Sequence, residues 1–187
     1  MIPVLLDGPA LEPVSLAEAK LWLRLDGPEE DDLVRALIVA ARLLVEAEIG
    51  QVLIGQNWRL VGDEWPDGET IPVRVGRILG VNGGRVFDAN GVATLLAADR
   101  FTVFPHAEPP AILPLDRPVP GRLLSGIEVD LRLGYGEAAS DVPETIRLAI
   151  RRLVTLWFHE RDDPRVIEAG LPPQIRALLR PFRRIRL

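Results

Sequence analysis

The side chains that most often perform catalysis or hold metal ions are scarce in this sequence of 187 residues. The chain has two histidines, His106 and His159, three serines and no cysteine. The two histidines are far apart in the sequence and form no pair at metal-ligand spacing, and no serine lies in a Gly-x-Ser-x-Gly motif. The lack of cysteine also excludes disulfides and thiolate metal sites. We therefore predict no catalytic residue, no metal site and no bound cofactor.

Two further patterns suggest chemistry but have simpler explanations. The glycine-rich segment 80–84 looks like a phosphate-binding loop, yet it opens no helix and contains no lysine, so a turn between strands is predicted there. The acidic run 29–32 suits the first turn of a helix, where the helix dipole favours negative charge. An enzyme acting through paired carboxylates is therefore the least favoured function.

The C-terminal quarter of the chain concentrates positive charge. Residues 143–187 hold ten arginines and five acids, a balance of +5, whereas residues 1–142 hold twelve basic and 22 acidic residues, a balance of −10. From Leu171 onward, apolar residues recur three or four apart and arginines fill positions between them. We predict that this segment binds a partner protein through Ile175, Arg176, Leu178, Leu179, Arg180, Phe182, Arg183, Arg184, Ile185 and Arg186.

Three interpretations of this tail remain open. It docks into a groove of a partner protein, it folds back onto its own helices, or it binds nucleic acid or lipid. Pro172 and Pro173 separate it from the preceding chain, and about 15 residues form only a marginal helix in isolation. Docking is favoured, and the tail is then expected to extend from the body and to become ordered on its partner.

Composition and length restrict the class of protein. The hydrophobic content of 48% and the mixed charges are typical of a folded domain, and no run approaches 18 apolar residues, so no membrane span is expected. The N-terminus lacks the basic and long apolar segments of a secretory signal, so a cytoplasmic origin is expected.

The helical period appears at both ends of the chain. Ser15–Glu18 forms a capping-box pattern that opens a short helix over 16–25, and a second helix is predicted over 29–49, with a buried stripe of Leu33, Leu37, Ala40, Leu44 and Ala47. A third helix is predicted from Pro143 to Glu160. We expect one shared core of Leu37, Leu44, Ile146, Ile150, Leu153 and Trp157.

The middle of the chain has the period of strands. Strands are predicted at 57–61, 70–75, 85–87, 92–95, 101–104 and 127–133, the last with strict alternation of apolar and charged residues. The segment 105–120 holds six of the 17 prolines and is predicted to be an extended loop.

These elements predict an α+β fold of a particular kind. It is an antiparallel helical bundle, built from the N-terminal helices and the helix near 143–160, with a β-rich insertion and a C-terminal amphipathic helical tail. The predicted domains are the bundle (1–50 and 137–170), the insertion (51–136) and the docking tail (171–187).

Two motifs, taken in order, resemble those of a known family. The first is Pro13–Lys20 (PVSLAEAK), followed by a short helix and by Asp31–Val34 (DDLV), which opens a long helix closed by Ile49–Gly50. The second is Tyr135–Gly136, then Val142–Ile150 (VPETIRLAI), continuing to Trp157–Arg161 (WFHER). Both resemble the head–tail connector (adaptor, head-completion) proteins of tailed phages and of phage-like gene transfer agents.

The resemblance implies a structural protein that forms a ring and is not an enzyme. Such adaptors lie beneath the portal protein at the capsid vertex, accept the next connector (stopper) protein, and line a channel through which DNA passes. The C-terminal segment binds the portal in that family, which assigns this role to residues 171–187. A nucleic-acid-binding module that uses the arginine-rich tail is the alternative function.

Overall fold

The structure is a computed structural model that describes residues 1–160 and 170–183. The chain divides into two compact units, each formed from two separate stretches of sequence. Unit 1 contains Met1–Ala10 and Gly55–Gly136, and unit 2 contains Leu11–Ile54 and Glu137–Leu187.

Unit 2 is helical over the residues that the structure describes. Its helices are α1 (Leu16–Leu23), α2 (Asp31–Ile49), α3 (Glu144–His159) and α4 (Pro173–Leu179), and a 3₁₀ turn, Arg180–Phe182, follows α4. None of the described helices is long and apolar enough to cross a membrane.

Local signals set the ends of the first two helices. The capping box before α1 is confirmed, because the Glu18 amide donates to Ser15 Oγ (3.2 Å) and the Ser15 amide donates to Glu18 Oε2 (2.9 Å). Arg24 ends α1 in the left-handed region at φ 59°, and Gly50 ends α2 at φ 67°.

The core of unit 2 lies between α2 and α3, which pack against each other. Ile146, Ile150 and Leu153 of α3 are fully buried, as predicted. The predicted face of α2 is wrong, since Leu37 and Leu44 are only half-buried and Ala40 and Ala47 are exposed. The buried residues are instead Val34, Ile38, Ala41, Arg42, Val45 and Ile49.

A buried ion-pair network joins α2 to the chain on either side of it. Arg42 donates from Nε to Glu12 (2.7 Å) and from Nη1 to Glu46 (2.9 Å). The other Glu46 oxygen accepts from the Leu53 amide at 2.9 Å. Glu46 therefore fixes the chain that leaves α2 as well as balancing the Arg42 charge.

Unit 1 consists of two antiparallel sheets. The five-stranded sheet has the order β1-β2-β8-β4-β5 and the three-stranded sheet has the order β3-β7-β6. Their strands are β1 (Ile2–Asp7), β2 (Gln56–Gly62), β3 (Ile71–Pro72), β4 (Ile78–Phe87), β5 (Ala93–Leu96), β6 (Phe101–Phe104), β7 (Ala111–Pro114) and β8 (Ile127–Leu133).

Strand β8 is the centre of the larger sheet. It pairs with β2 on one side and β4 on the other, and its apolar residues are buried while its charged residues are half-buried, as the alternation predicts. The glycine-rich segment 80–84 lies inside β4, so the predicted turn there is wrong. Register shifts at Ile78/Gly80 and Val81/Gly83 bend this strand. At Gly83, φ is +131° and an added Cβ would lie 2.9 Å from the Leu96 carbonyl oxygen.

The predicted fold class, an antiparallel helical bundle with a β-rich insertion, is wrong. The described chain is β-rich, with eight strands in two antiparallel sheets beside four helices. Only α2 and α3 are long, since α1 has 8 residues and α4 has 7. The sheets also bury a set of their own, which includes Leu60, Val86, Ile112, Ile127, Val129, Leu131 and Leu133.

Candidate partner interface

The C-terminal segment forms the short helix α4, which packs against α3 and α2. Pro172 precedes α4 and Pro173 is its first residue, where the missing amide hydrogen breaks no helical bond. Leu171, Ile175 and Leu179 are buried within unit 2. The two prolines therefore start a helix whose apolar side contacts the chain's own helices.

Polar contacts hold the end of this segment against α2. Gln51 donates from Nε2 to the Phe182 carbonyl oxygen at 2.5 Å. Glu48 Oε1 lies 3.8 Å from Arg176 Nε and 3.6 Å from Arg183 Nε. These two distances exceed hydrogen-bonding range, and both arginine side chains are about half exposed. The ion pairs are therefore weak ones that solvent screens.

The structure places the predicted partner-binding residues in three groups. Ile175 and Leu179 are buried, and Leu178 and Phe182 are half-buried. Arg176, Arg180 and Arg183 are exposed. The remaining predicted residues, Arg184, Ile185 and Arg186, lie outside the described residues. In this structure the apolar stripe contacts its own unit, as one of the open interpretations holds, and portal binding stays a prediction.

A charged and aromatic cluster links α1 to α3 in the same unit. Trp22 donates from Nε1 to Thr155 Oγ1 (2.9 Å), and the Arg151 guanidinium lies 5.3 Å from the Trp22 ring centre. Arg147 donates to the Pro13 carbonyl oxygen (2.9 Å) and to Glu18. Burial alone would raise the pKa of Glu18, but the hydrogen bonds from Ser15 and the Arg147 charge lower it overall.

The charged face of the larger sheet carries a second cluster. Asp130 accepts from Arg59 Nε (2.6 Å) and Nη2 (2.9 Å), and from Arg85 Nη2 (2.6 Å). Glu128 lies 3.1 Å from Arg59 Nη1. The hydrogen bond from Arg59 is the main cause that holds the pKa of Asp130 below its usual value. Two arginines and two acids balance each other here, which suits a structural cross-strand network.

The described residues offer no group of three or more His, Cys, Asp or Glu side chains that could hold a metal ion. The acidic run 29–32 leads into α2, where Asp31 accepts from Lys20 Nζ at 2.5 Å and Asp32 accepts from Arg35 at 2.9 Å. The charges of Asp31 and Asp32 are thus matched by neighbouring cations.

One surface feature was missed by the sequence analysis. The loop between β7 and β8 presents Val119, Leu123 and Leu124 to solvent with 90%, 88% and 65% of each residue exposed. The signal in the sequence was a set of apolar residues placed among prolines and glycines, where a strand or helix face cannot bury them.

No protein-family model and no curated protein matches the sequence. Solved structures do. A chain in the neck of an empty gene transfer agent particle, computed with C6 symmetry, matches with a TM-score of 0.82 and 25% identity over 100% of this chain and 97% of that chain. A chain in the virion of a native gene transfer agent particle matches with a TM-score of 0.79 and 25% identity over the same shares. A third chain, in the neck of a native gene transfer agent particle computed with C12 symmetry, matches with a TM-score of 0.71 and 26% identity over 98% of this chain and 97% of that chain.

These likenesses confirm that the chain is of the head–tail connector type found in phage-like particles. They support a structural role for this connector in a particle neck. The cyclic symmetry of the matched necks indicates a ring oligomer, and the matched chains belong to structural components, which favours a structural over an enzymatic role.

Proposed function

We propose that this connector is an adaptor that joins the portal protein to the next head–tail connector in a ring at the capsid vertex. The observation that carries the proposal is the match to particle necks over nearly the full length of both chains. A closed ring around the vertex would leave a central channel for DNA. The balance of −10 over residues 1–142 would keep DNA from adhering to a channel lined by the body of the protein.

We assign the proposed portal-binding role to residues 171–187, the docking tail. Its exposed arginines, Arg176, Arg180 and Arg183, supply planar cationic groups that suit carboxylates and carbonyl oxygens of a partner. Because Ile175 and Leu179 are already buried in unit 2, portal binding would use the exposed arginine side first. Any use of the apolar stripe would require α4 to separate from α2 and α3.

A charge reversal with a matched control tests this role. Arg180→Glu changes an exposed arginine at the end of α4, and Arg152→Glu makes the same change at an exposed position of α3. We expect Arg180→Glu to weaken binding to purified portal protein by roughly tenfold or more, because a like charge then faces the partner's acidic groups. Arg152→Glu should bind the portal like the unchanged protein, and equal binding by the two variants would contradict the role of the tail.

The dependence of binding on salt separates this proposal from a nucleic-acid-binding function. Phosphate contacts release counterions, so binding to duplex DNA through several arginines would fall steeply as salt rises. Contacts between arginines and the carboxylates of a protein partner also weaken with salt, but they release no condensed counterions from a phosphate backbone, so their affinity should fall less steeply. Tighter binding of the connector to DNA than to the portal, with a steep salt slope that Arg180→Glu lowers, would favour the nucleic-acid function.

A further inference from the structure

One end of the five-stranded sheet gathers segments from across unit 1. The register pairs Ile2 with Val61 and Gly62 with Ile127, and it pairs Val86 with Ile127 and Phe87 with Ala93. The first residues of β1, β8 and β5 and the last residues of β2 and β4 therefore lie at the same end of the sheet. The loop that leads into β8 lies there as well.

This end exposes large apolar side chains from three separate segments. We define the apolar end as Ile2, Val92, Val119, Leu123 and Leu124, each of which is between 64% and 90% exposed. Single exposed apolar residues are ordinary, but several that converge on one end of a folded unit mark an interaction site. Their burial would be favourable in any complex that covers them.

The loop that carries three of these residues is fixed at its base. The Phe87 carbonyl oxygen accepts from the Gly121 amide (2.9 Å), and the Phe87 amide donates to the Gly126 carbonyl oxygen (2.9 Å). Asp63 Oδ1 accepts from the Ser125 amide at 2.7 Å. At Gly121 an added Cβ would lie 2.4 Å from the Ala89 amide nitrogen, so the loop approaches the β4–β5 turn closely.

A second set of contacts holds the loop against the segment that follows β2. Trp65 donates from Nε1 to the Pro118 carbonyl oxygen at 2.9 Å. A cleft of about 370 Å³ lies between the two segments and is lined by Glu64, Trp65, Val119 and Leu123 among others. Because the loop is held in place before any partner binds, binding would cost little loop entropy.

The charge around the apolar end is negative. Asp63, Glu64, Asp67, Glu69, Asp88 and Asp116 lie on the segments that form it, against two arginines, Arg117 and Arg122, a balance of −4. The Arg122 guanidinium lies over the Phe87 ring at 5.3 Å, and Arg117 lies over Trp65 at 6.0 Å and donates to the Glu69 carbonyl oxygen. Both arginines are therefore engaged within unit 1.

We propose that the apolar end binds a different protein of the particle, one whose contact surface is apolar at its centre and basic at its border. The inference rests on the proposed function, which requires this connector to hold a second partner besides the portal. Charge argues against the same end of a second copy as the partner, because the segments that form the apolar end carry −4 and like charges would face each other.

A photo-crosslinker tests the proposal in assembled particles. Leu123 is replaced by p-benzoylphenylalanine in cells that produce the particles, with Thr102, an exposed residue of β6 in the same unit, as the matched control position. We expect irradiation to join position 123 to a different structural protein of the particle, through a peptide that contains arginine or lysine. Position 102 should give no such adduct.

The possible results are distinct. An adduct between two copies of this chain, or no adduct although the chain is present in the particles, overturns the proposal and leaves the adaptor function standing. Absence of the chain from purified particles overturns the adaptor function, and this inference with it. As a second measurement, Leu123→Asp should lower the amount of the crosslinked partner retained on particles by roughly tenfold or more, and Thr102→Asp should not. Unchanged retention in Leu123→Asp would also overturn the proposal.

Discussion

Leu153 is the position where truncation tests the core of unit 2 most directly. It lies on α3, has no exposed surface, and shares its face with the buried Ile146 and Ile150. Leu153→Ala removes three carbon atoms, which corresponds to about 2.4 kcal/mol at about 0.8 kcal/mol per buried CH₂ group. The cavity left behind adds to this loss, so we expect a decrease of about 2–5 kcal/mol in the free energy of unfolding.

Urea titration followed by far-UV circular dichroism measures this decrease. All four described α-helices belong to unit 2, so the helical signal reports on that unit. With a slope of about 2 kcal/mol per molar urea, the midpoint should fall by about 1–2.5 M while the slope stays unchanged. A matched change, Leu21→Ala on α1, alters a side chain that is 81% exposed and should cost less than about 0.5 kcal/mol. A loss below about 0.5 kcal/mol for Leu153→Ala, with the fold intact, would refute the assignment of this face to the core.

Three further changes test particular contacts. Ser15→Ala removes the N-cap of α1 and should lower the stability of unit 2 by about 0.5–2 kcal/mol in the same titration. Arg42→Ala leaves the Glu12 and Glu46 carboxylates without their buried cation and should cost about 3–5 kcal/mol, whereas Arg35→Ala, at a pair exposed to solvent, should cost less than about 1 kcal/mol. The pKa of Asp130 is lowered in the folded chain, so its ion pairs stabilise unit 1 above about pH 4 and this contribution is lost as the pH falls further. Asp130→Asn should therefore lower the free energy of unfolding at neutral pH. Below about pH 4 the free energy of unfolding should fall less steeply in this variant than in the unchanged protein, as measured by tryptophan fluorescence during denaturation at several pH values.

Much of the local structure follows from the sequence because local signals specify it. The capping box at Ser15–Glu18 and the stop at Gly50 place two helix ends within the chain's first 50 residues. The alternation of 127–133 predicts β8 to the residue, since a strand buried on one face leaves a period of two. In these cases the residues that give the signal also make the stabilising contacts.

The face of α2 could not be predicted in the same way because the helix is apolar on both sides. One apolar stripe contains the buried Val34 and Ile38, and another, about 100° or more away around the helix, contains the exposed Val39 and Leu43. The sequence alone does not show which stripe faces the core. Only packing against α3 decides between them.

Strands β1 and β7 were missed because each contains a proline, which argues against a strand in the sequence. The structure tolerates both prolines, since β1 is an edge strand and the proline of β7 is its last residue.

The candidate sites differ in how far the sequence could predict them. The arginine-rich tail has a periodic pattern, and the structure places its described residues in one short helix and the turn that follows. The apolar end has no such pattern, because Ile2, Val92 and Leu123 come together only through the pairing of strands far apart in the chain. A site assembled by sheet register requires the fold before it can be seen.

The position of α4 determines how the tail must be tested. Deletion of residues 172–187 would remove Ile175 and Leu179 from the core of unit 2, so a loss of portal binding in that variant could follow from a damaged fold alone. Exposed arginines avoid this problem, because Arg180 can be changed without altering a buried contact. Arg176 and Arg183 are about half exposed and lie beyond hydrogen-bonding distance of Glu48, so a partner's carboxylates could form shorter ion pairs with them. The proposed portal contact would therefore not require the connector to unfold any part of unit 2.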